Sequence, residues 1–117
     1  MNKYILIAIG VVFIAIIFNR FRSAMSVDAN KIKDKIQQGA LVVDVRTPAE
    51  YQAGHFPGAV NIPVDQVEKR LGEFGGKDKS IIVYCASGGR SGSAKSYLES
   101  IGFSDVINAG GLSNMPK

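Results

Sequence analysis

The stretch Ser80–Ala94 constrains the fold most, because it joins a buried strand to a helix through a loop of small residues. Ile81–Tyr84 is a short apolar run rich in β-branched residues, which is typical of a buried strand. Cys85–Gly89 is too small and glycine-rich for either helix or strand, and from Arg90 onward apolar residues recur at helical spacing. The only cysteine of the chain therefore lies where a buried strand turns into a helix.

This position gives the cysteine a particular chemical environment. A tight loop that enters a helix directs backbone N–H groups inward, and the helix N-terminus adds partial positive charge. Such a cradle favours anions and is expected to lower the pKa of the Cys85 thiol. A lone cysteine is more commonly an inert buried residue, but the small polar neighbours of Cys85 make a poor apolar core. We therefore interpret Cys85 as a nucleophile in an anion-binding loop.

The candidate anion-binding residues all follow the cysteine directly: Ala86, Ser87, Gly88, Gly89, Arg90 and Ser91. Arg90 brings a fixed cation with a planar fork of donors, which suits the oxyanion end of a substrate.

Strands and helices alternate along the rest of the chain. We predict helices at 29–38, 48–53, 65–71 and 90–101, and strands at 41–45, 60–62, 81–84 and 106–107. The segment Thr47-Pro48-Ala49-Glu50 is a capping box with proline at the first helical position. This alternation favours an α/β fold with a mainly parallel central sheet.

Several motifs in order resemble those of single-domain rhodaneses, the thiosulfate sulfurtransferases. Cys85–Ser91 resembles their active-site loop, Val42–Tyr51 and Gly54–Pro63 resemble upstream signatures, and Asn108–Leu112 resembles a downstream one. The resemblance covers the chain from about Val27 onward, and it is strongest to the small phage-shock rhodaneses of bacterial envelopes. It implies a rhodanese-like three-layer α/β domain.

The loop and the resemblance together predict a sulfurtransferase. Thiolate Cys85 attacks the outer sulfur of thiosulfate or another sulfane-sulfur donor, and the resulting persulfide passes its sulfur to cyanide, a thiol or a protein cysteine. Arg90 is predicted to orient the oxyanion end of the donor. No organic cofactor is expected, and no metal either, since one histidine and one cysteine are too few for a strong transition-metal site.

Two alternatives stay open. A phosphatase or arsenate reductase also uses a cysteine and an arginine around an anion, but it places five residues between them, whereas this chain has four. A membrane-tethered persulfide carrier or interaction module with little small-molecule turnover would use the same residues, so the sequence separates it poorly from an enzyme.

Three upstream residues are predicted to support the site. Asp44 and Arg46 lie at the end of a predicted strand, where they either form an ion pair that fixes the loop or leave Arg46 to add positive potential at the pocket mouth. His55 lies in a Gly-His-Phe-Pro-Gly turn. We favour a loop-fixing hydrogen bond for His55 over a general-base role, because sulfur transfer to a thiolate of low pKa needs no proton relay.

The first residues of the chain predict contact with a membrane. Residues 4–18 form an uncharged, largely apolar run, which predicts one N-terminal transmembrane helix or an uncleaved signal in contact with the lipid bilayer. As a helix the run spans about 22 Å, against a hydrocarbon core of about 30 Å. We therefore divide the chain into an anchor at 1–22 and a rhodanese-like domain at 23–117.

The charges beside this run predict its orientation. The positive residues that follow it, led by Arg20 and Arg22, favour a single-pass protein of the bacterial inner membrane with its catalytic domain on the cytoplasmic face. The resemblance to phage-shock rhodaneses implies the periplasmic face instead.

The net charge of +4 does not indicate nucleic-acid binding. Lys3, Arg20 and Arg22 account for three of the fourteen basic residues, and all ten acidic residues follow them, so the remainder of the chain carries only +1. A domain that binds nucleic acid normally concentrates basic residues on one face. We therefore expect no nucleic-acid partner.

Overall fold

A computed structural model describes residues 3–25 and 28–117. The helices are α1 (Lys3–Met25), α2 (Ala29–Gln37), α3 (Pro48–Ala53) and α4 (Gly89–Ser100). The strands are β1 (Leu41–Asp44), β2 (Val60–Asn61), β3 (Ser80–Cys85) and β4 (Asp105–Gly111). Short 3₁₀ segments lie at Val64–Gln66, Glu68–Phe74 and Leu112–Asn114.

The four strands form one parallel sheet in the order β2-β1-β3-β4. Asp44 on β1 pairs with Tyr84 on β3, and Cys85 pairs with Gly111 on β4. Because all strands run in the same direction, their carboxyl ends meet at one edge of the sheet, and the residues that follow them lie close together there. The predicted α/β fold with a parallel central sheet is confirmed.

Strand β3 divides the core into two clusters, because its side chains alternate between the faces of the sheet. Cys85 and Val83 face one cluster with Leu98 of α4, whereas Tyr84 faces the other cluster with Ile32 of α2. All five side chains are almost completely buried, and each large apolar one stabilises the fold by roughly 1.5–3 kcal/mol. Helices thus cover both faces of the sheet and make three layers.

The start of α3 follows the predicted capping box. The Thr47 hydroxyl accepts a hydrogen bond from the Glu50 N–H, and the Glu50 carboxylate accepts one from the Thr47 N–H. Pro48 occupies the first helical position, where its missing N–H leaves no hydrogen bond unmade. These contacts fix Glu50 at the edge of the sheet that carries Cys85.

The predicted helix at 65–71 is wrong. Two 3₁₀ segments replace it, and Arg70 has non-helical backbone angles (φ −118°, ψ 30°) that kink the chain. Gly72, inside the second segment, lowers the propensity for a regular α-helix.

Helix α1 extends through 23 residues and leaves its described apolar side chains exposed. Within residues 3–25 and 28–117, no helix combines the length and the apolar character that crossing a membrane requires. The predicted transmembrane helix at residues 4–18 is therefore not supported.

Candidate active site

Cys85 is the last residue of β3, at the edge of the sheet where the strands end. Its side chain points to the face covered by α4 and is only 1% exposed. The loop that follows turns directly into α4, whose first helical residue is Gly89. The predicted strand–loop–helix arrangement is present, and the loop closes over the sulfur.

Two donors reach the sulfur directly. The Gly88 N–H donates to Cys85 Sγ over 3.0 Å, and Ser91 Oγ lies 3.3 Å from the same atom. Gly88 adopts the left-handed conformation (φ 100°, ψ −12°), which glycine tolerates without a steric penalty. This turn directs the amide toward the thiol while the chain enters α4.

These contacts set the ionisation of the thiol. Burial raises the pKa of Cys85, but hydrogen bonds from the Ser91 side chain and from the N–H groups of Ser91, Ser87 and Gly88 outweigh it and lower the pKa to about 7. A thiol with this pKa is about half ionised at neutral pH. The thiolate, which is the nucleophilic form, is therefore abundant.

Asn108 is a residue whose role the sequence prediction missed. Its Nδ2 donates to the Gly88 carbonyl over 3.1 Å, and its Oδ1 accepts the Gly110 N–H at 2.9 Å. The Asn108 Oδ1 also lies 2.7 Å from Ser91 Oγ, whose single proton is donated either to this oxygen or to Cys85 Sγ at any one time. Asn108 therefore holds two residues that contact the sulfur. The predicted strand at 106–107 ended before Asn108, whereas in the structure Asn108 lies in β4 and pairs with Val83 of β3.

Gly111 explains how the loop packs against β4. A Cβ at this position would lie 2.3 Å from the Ala86 carbonyl oxygen, a distance that no side chain tolerates. The glycine thus lets the loop after Cys85 pass directly over the neighbouring strand.

The structure holds Arg90 in an ion pair. Its two terminal nitrogens donate to the two carboxylate oxygens of Glu50 over 2.7 and 3.0 Å, and both side chains are partly exposed. Hydrogen bonds from Arg90 and Thr47 lower the pKa of Glu50 to about 2, so this carboxylate is ionised at neutral pH. The sequence had identified Glu50 only as part of a capping box, and its contact with the loop was missed.

Asp44 and Arg46 form an ion pair, which is one of the two roles that we predicted for them. Arg46 Nη2 lies 2.7 Å from Asp44 Oδ2, and it also donates to the Gly54 carbonyl over 2.7 Å. The Tyr84 hydroxyl donates to Asp44 Oδ2 over 2.9 Å and accepts the Phe56 N–H. Because both ionised side chains are buried, this cluster fixes the loops that follow β1.

His55 contacts Tyr51. Its Nδ1 donates to the Tyr51 carbonyl over 2.8 Å, and the two rings stack with their centroids 3.7 Å apart. These contacts are those of the loop-fixing role that we favoured for His55.

Within residues 3–25 and 28–117, no three or more His, Cys, Asp or Glu side chains are grouped so that they could hold a metal ion.

Comparisons with known proteins show which family and which proteins this chain is similar to. The sequence model of the rhodanese-like domain family matches residues 28–115. Thiosulfate sulfurtransferase PspE of Escherichia coli is 44% identical over 78 residues, which cover 64% of this chain and 75% of that protein. A sulfurtransferase of Allochromatium vinosum is 34% identical over 87 residues, which cover 73% and 80%. A solved structure of a rhodanese with anions from E. coli has a TM-score of 0.63 and 41% identity, and the match covers 67% of this chain and 95% of that one.

Proposed function

Because the chain belongs to the rhodanese-like domain family, we propose that it transfers a sulfane sulfur from thiosulfate or a similar donor to a thiophilic acceptor through a Cys85 persulfide. The observation that carries this proposal is the Cys85 thiol, which has a pKa of about 7 and receives hydrogen bonds from Gly88 and Ser91. A nucleophile of this kind needs neither a metal nor a separate general base.

In the first step the Cys85 thiolate attacks the outer sulfur of the donor. A new S–S bond forms, the bond between the two donor sulfurs breaks, and sulfite leaves with the electron pair. The product is a Cys85 persulfide, whose terminal sulfur is itself an anion. The N–H groups of Ser87, Gly88 and Ser91 face the Cys85 sulfur, and in this role they stabilise the negative charge through the reaction.

In the second step a thiophilic acceptor attacks the terminal sulfur of the persulfide. Cyanide yields thiocyanate, and a small thiol or a protein cysteine yields a new persulfide. Cys85 leaves as the thiolate, so the starting state is restored without any net change in the protein. Because the donor product leaves before the acceptor reacts, the kinetics are ping-pong.

Steady-state kinetics test this function. Thiocyanate formation is measured while thiosulfate and cyanide are varied, and the proposal predicts parallel double-reciprocal lines with many turnovers per Cys85. A Cys85→Ser variant with an unchanged melting temperature is expected to be inactive. Intersecting lines, or a fully active variant, would overturn the mechanism, whereas one sulfur accepted without turnover would support the carrier alternative.

The location of the protein stays a prediction from the sequence. It places the chain at a bacterial inner membrane, with the catalytic domain on the cytoplasmic face and the periplasmic face as the alternative. The observation that supports a membrane location is the set of exposed apolar side chains on α1. It is not a membrane-spanning helix. Fractionation of cells that express the full chain, followed by carbonate washing, tests the association with the membrane. Protease accessibility then tests the face on which the catalytic domain lies.

A further inference from the structure

Glu50 contacts the anion-binding loop through Arg90, the residue that we predicted to orient the oxyanion end of the donor. Both carboxylate oxygens contact the guanidinium fork, at 2.7 and 3.0 Å. Bidentate pairs of this kind are the strong form of the arginine–carboxylate contact. A donor whose oxyanion is to bind Arg90 must therefore compete with a carboxylate that is already in place.

The carboxylate is also held from its other side. Glu50 Oε1 accepts hydrogen bonds from the Thr47 N–H at 3.2 Å and from the Thr47 hydroxyl at 3.1 Å. These contacts belong to the capping box of α3, so Glu50 is part of a helix start and not a freely moving surface side chain. Its position opposite Arg90 is fixed before any substrate arrives.

The charge balance of the site follows from these pairs. Arg46 is paired with Asp44, and Arg90 is paired with Glu50. Glu50 raises the pKa of Arg90, and the negative charges of Cys85 and Asp44 add to this effect. Both arginines that the sequence assigned to the site are thus neutralised by carboxylates, and the thiolate adds one negative charge.

We propose that Glu50 is a specificity-determining residue, which screens Arg90 and so disfavours donors that carry two negative charges relative to donors that carry one. This inference rests on the proposed sulfur transfer and assigns Glu50 a function beyond the capping box. It concerns the choice between donors and not the transfer step itself.

Two sulfane-sulfur donors that differ in charge test the proposal. Thiosulfate carries two negative charges, and methanethiosulfonate carries one, because a methyl group replaces one oxyanion. In each case the Cys85 thiolate attacks the sulfane sulfur, and sulfite or methanesulfinate leaves with the electron pair. The measured quantity is the ratio of kcat/KM for thiosulfate to kcat/KM for methanethiosulfonate.

Glu50→Gln is the decisive variant, since it removes the charge and keeps the size of the side chain. The proposal predicts that the ratio rises about fivefold, mainly through a lower KM for thiosulfate. A role limited to helix capping would change both donors alike and leave the ratio unchanged, which would overturn the proposal. The matched control is Glu73→Gln, which removes the carboxylate of the Arg70–Glu73 pair and is expected to leave the ratio unchanged.

A measurement on the unmodified protein keeps the proposal testable if Glu50→Gln does not fold. Raising the ionic strength from about 0.05 M to about 0.3 M screens the negative charges of the site, Glu50 and the Cys85 thiolate together, so the same ratio is expected to rise. A ratio that falls with salt would mean that the site attracts dianions and would overturn the proposal. Failure of the unmodified protein to accept sulfur from either donor would instead refute the proposed function, whatever Glu50 does.

Discussion

At the scale of the single residue, the ionisation of Cys85 depends on two opposing effects. Burial of the thiol opposes the charged form, whereas hydrogen bonds from the loop and from Ser91 favour it and lower the pKa to about 7. The hydrogen bonds depend on the position of the loop over the sulfur. The reactivity of the thiol is therefore a property of the folded loop and not of cysteine alone.

The pH dependence of the reaction tests this balance. A thiol with a pKa of about 7 is protonated below that pH, so the alkylation rate of Cys85 by iodoacetamide is expected to rise from pH 6 to pH 8 and then level off. Ser91→Ala removes a donor to the thiolate, which disfavours the charged form and raises the pKa by about one unit. At pH 7 the alkylation rate is then expected to fall roughly fivefold.

The control for this variant is Ser93→Ala, because the Ser93 hydroxyl donates to the Gly89 carbonyl and not to the sulfur. Its alkylation profile is expected to match that of the unmodified protein. An unchanged pKa in Ser91→Ala would show that the Ser91 hydroxyl does not stabilise the thiolate.

At the scale of the element, the site depends on how β4 supports the loop between β3 and α4. Asn108 holds the Gly88 carbonyl and the Ser91 hydroxyl, and Gly111 leaves room for the Ala86 carbonyl. The loop is thus shaped by a strand that lies later in the chain. A substitution in β4 is therefore expected to change the pKa of the Cys85 thiol without contacting the sulfur.

Gly111→Ala tests this support. The new Cβ would lie 2.3 Å from the Ala86 oxygen, so the loop or β4 must shift. We expect the free energy of unfolding to fall by about 2 kcal/mol, as in other overpacked sites. The pKa of Cys85 should rise as the loop amides move away from the sulfur. Denaturant unfolding and thiol alkylation measure the two effects.

Gly72→Ala is the matched control, since a Cβ there meets no atom within 4 Å. We expect little loss of stability and an unchanged thiol pKa. If Gly111→Ala behaved in the same way, the close approach of the loop to β4 would be refuted.

The sequence predicted the features of the site that depend on neighbouring residues. The strand–loop–helix around Cys85 and the capping box of Thr47 and Glu50 are local patterns, and both are present. The contact between Glu50 and Arg90 was not predicted, because the two residues are 40 positions apart and meet only when α3 and α4 pack on the sheet. Tertiary contacts between residues so far apart in sequence cannot be predicted from the local spacing of residue types.

The extent of strand β4 also depends on tertiary contacts that the local sequence does not show. We predicted a strand at 106–107, whereas β4 continues to Gly111. Asn108 and the glycines have low strand propensity, so sequence alone ended the strand early. Pairing with β3 supplies backbone hydrogen bonds that propensity does not count, and it extends the strand. The supporting role of Asn108 was missed for this reason.

At the scale of the whole molecule, α1 is distinct from the domain that carries the site. Its described apolar side chains are exposed, whereas the two core clusters lie within residues 32–115. The family match, at residues 28–115, covers the same part of the chain. The fold and the thiol are therefore expected to be independent of the first residues.

Deletion of residues 1–22 tests this independence. Because none of the described side chains within residues 3–16 belongs to either core cluster, the remaining chain is expected to unfold at the same denaturant concentration as the full chain. Its kcat/KM for sulfur transfer should agree with that of the full chain within about twofold, which is about 0.4 kcal/mol. A clearly less stable or inactive product would show that α1 contributes to the domain.

The most direct test of a Cys85 persulfide is the intact mass of the reduced full-length protein before and after treatment with thiosulfate. We expect a gain of one sulfur atom, roughly 32 Da, that cyanide reverses and that Cys85→Ser lacks. No gain in the unmodified protein, with its thiol shown to be reduced, would contradict a Cys85 persulfide.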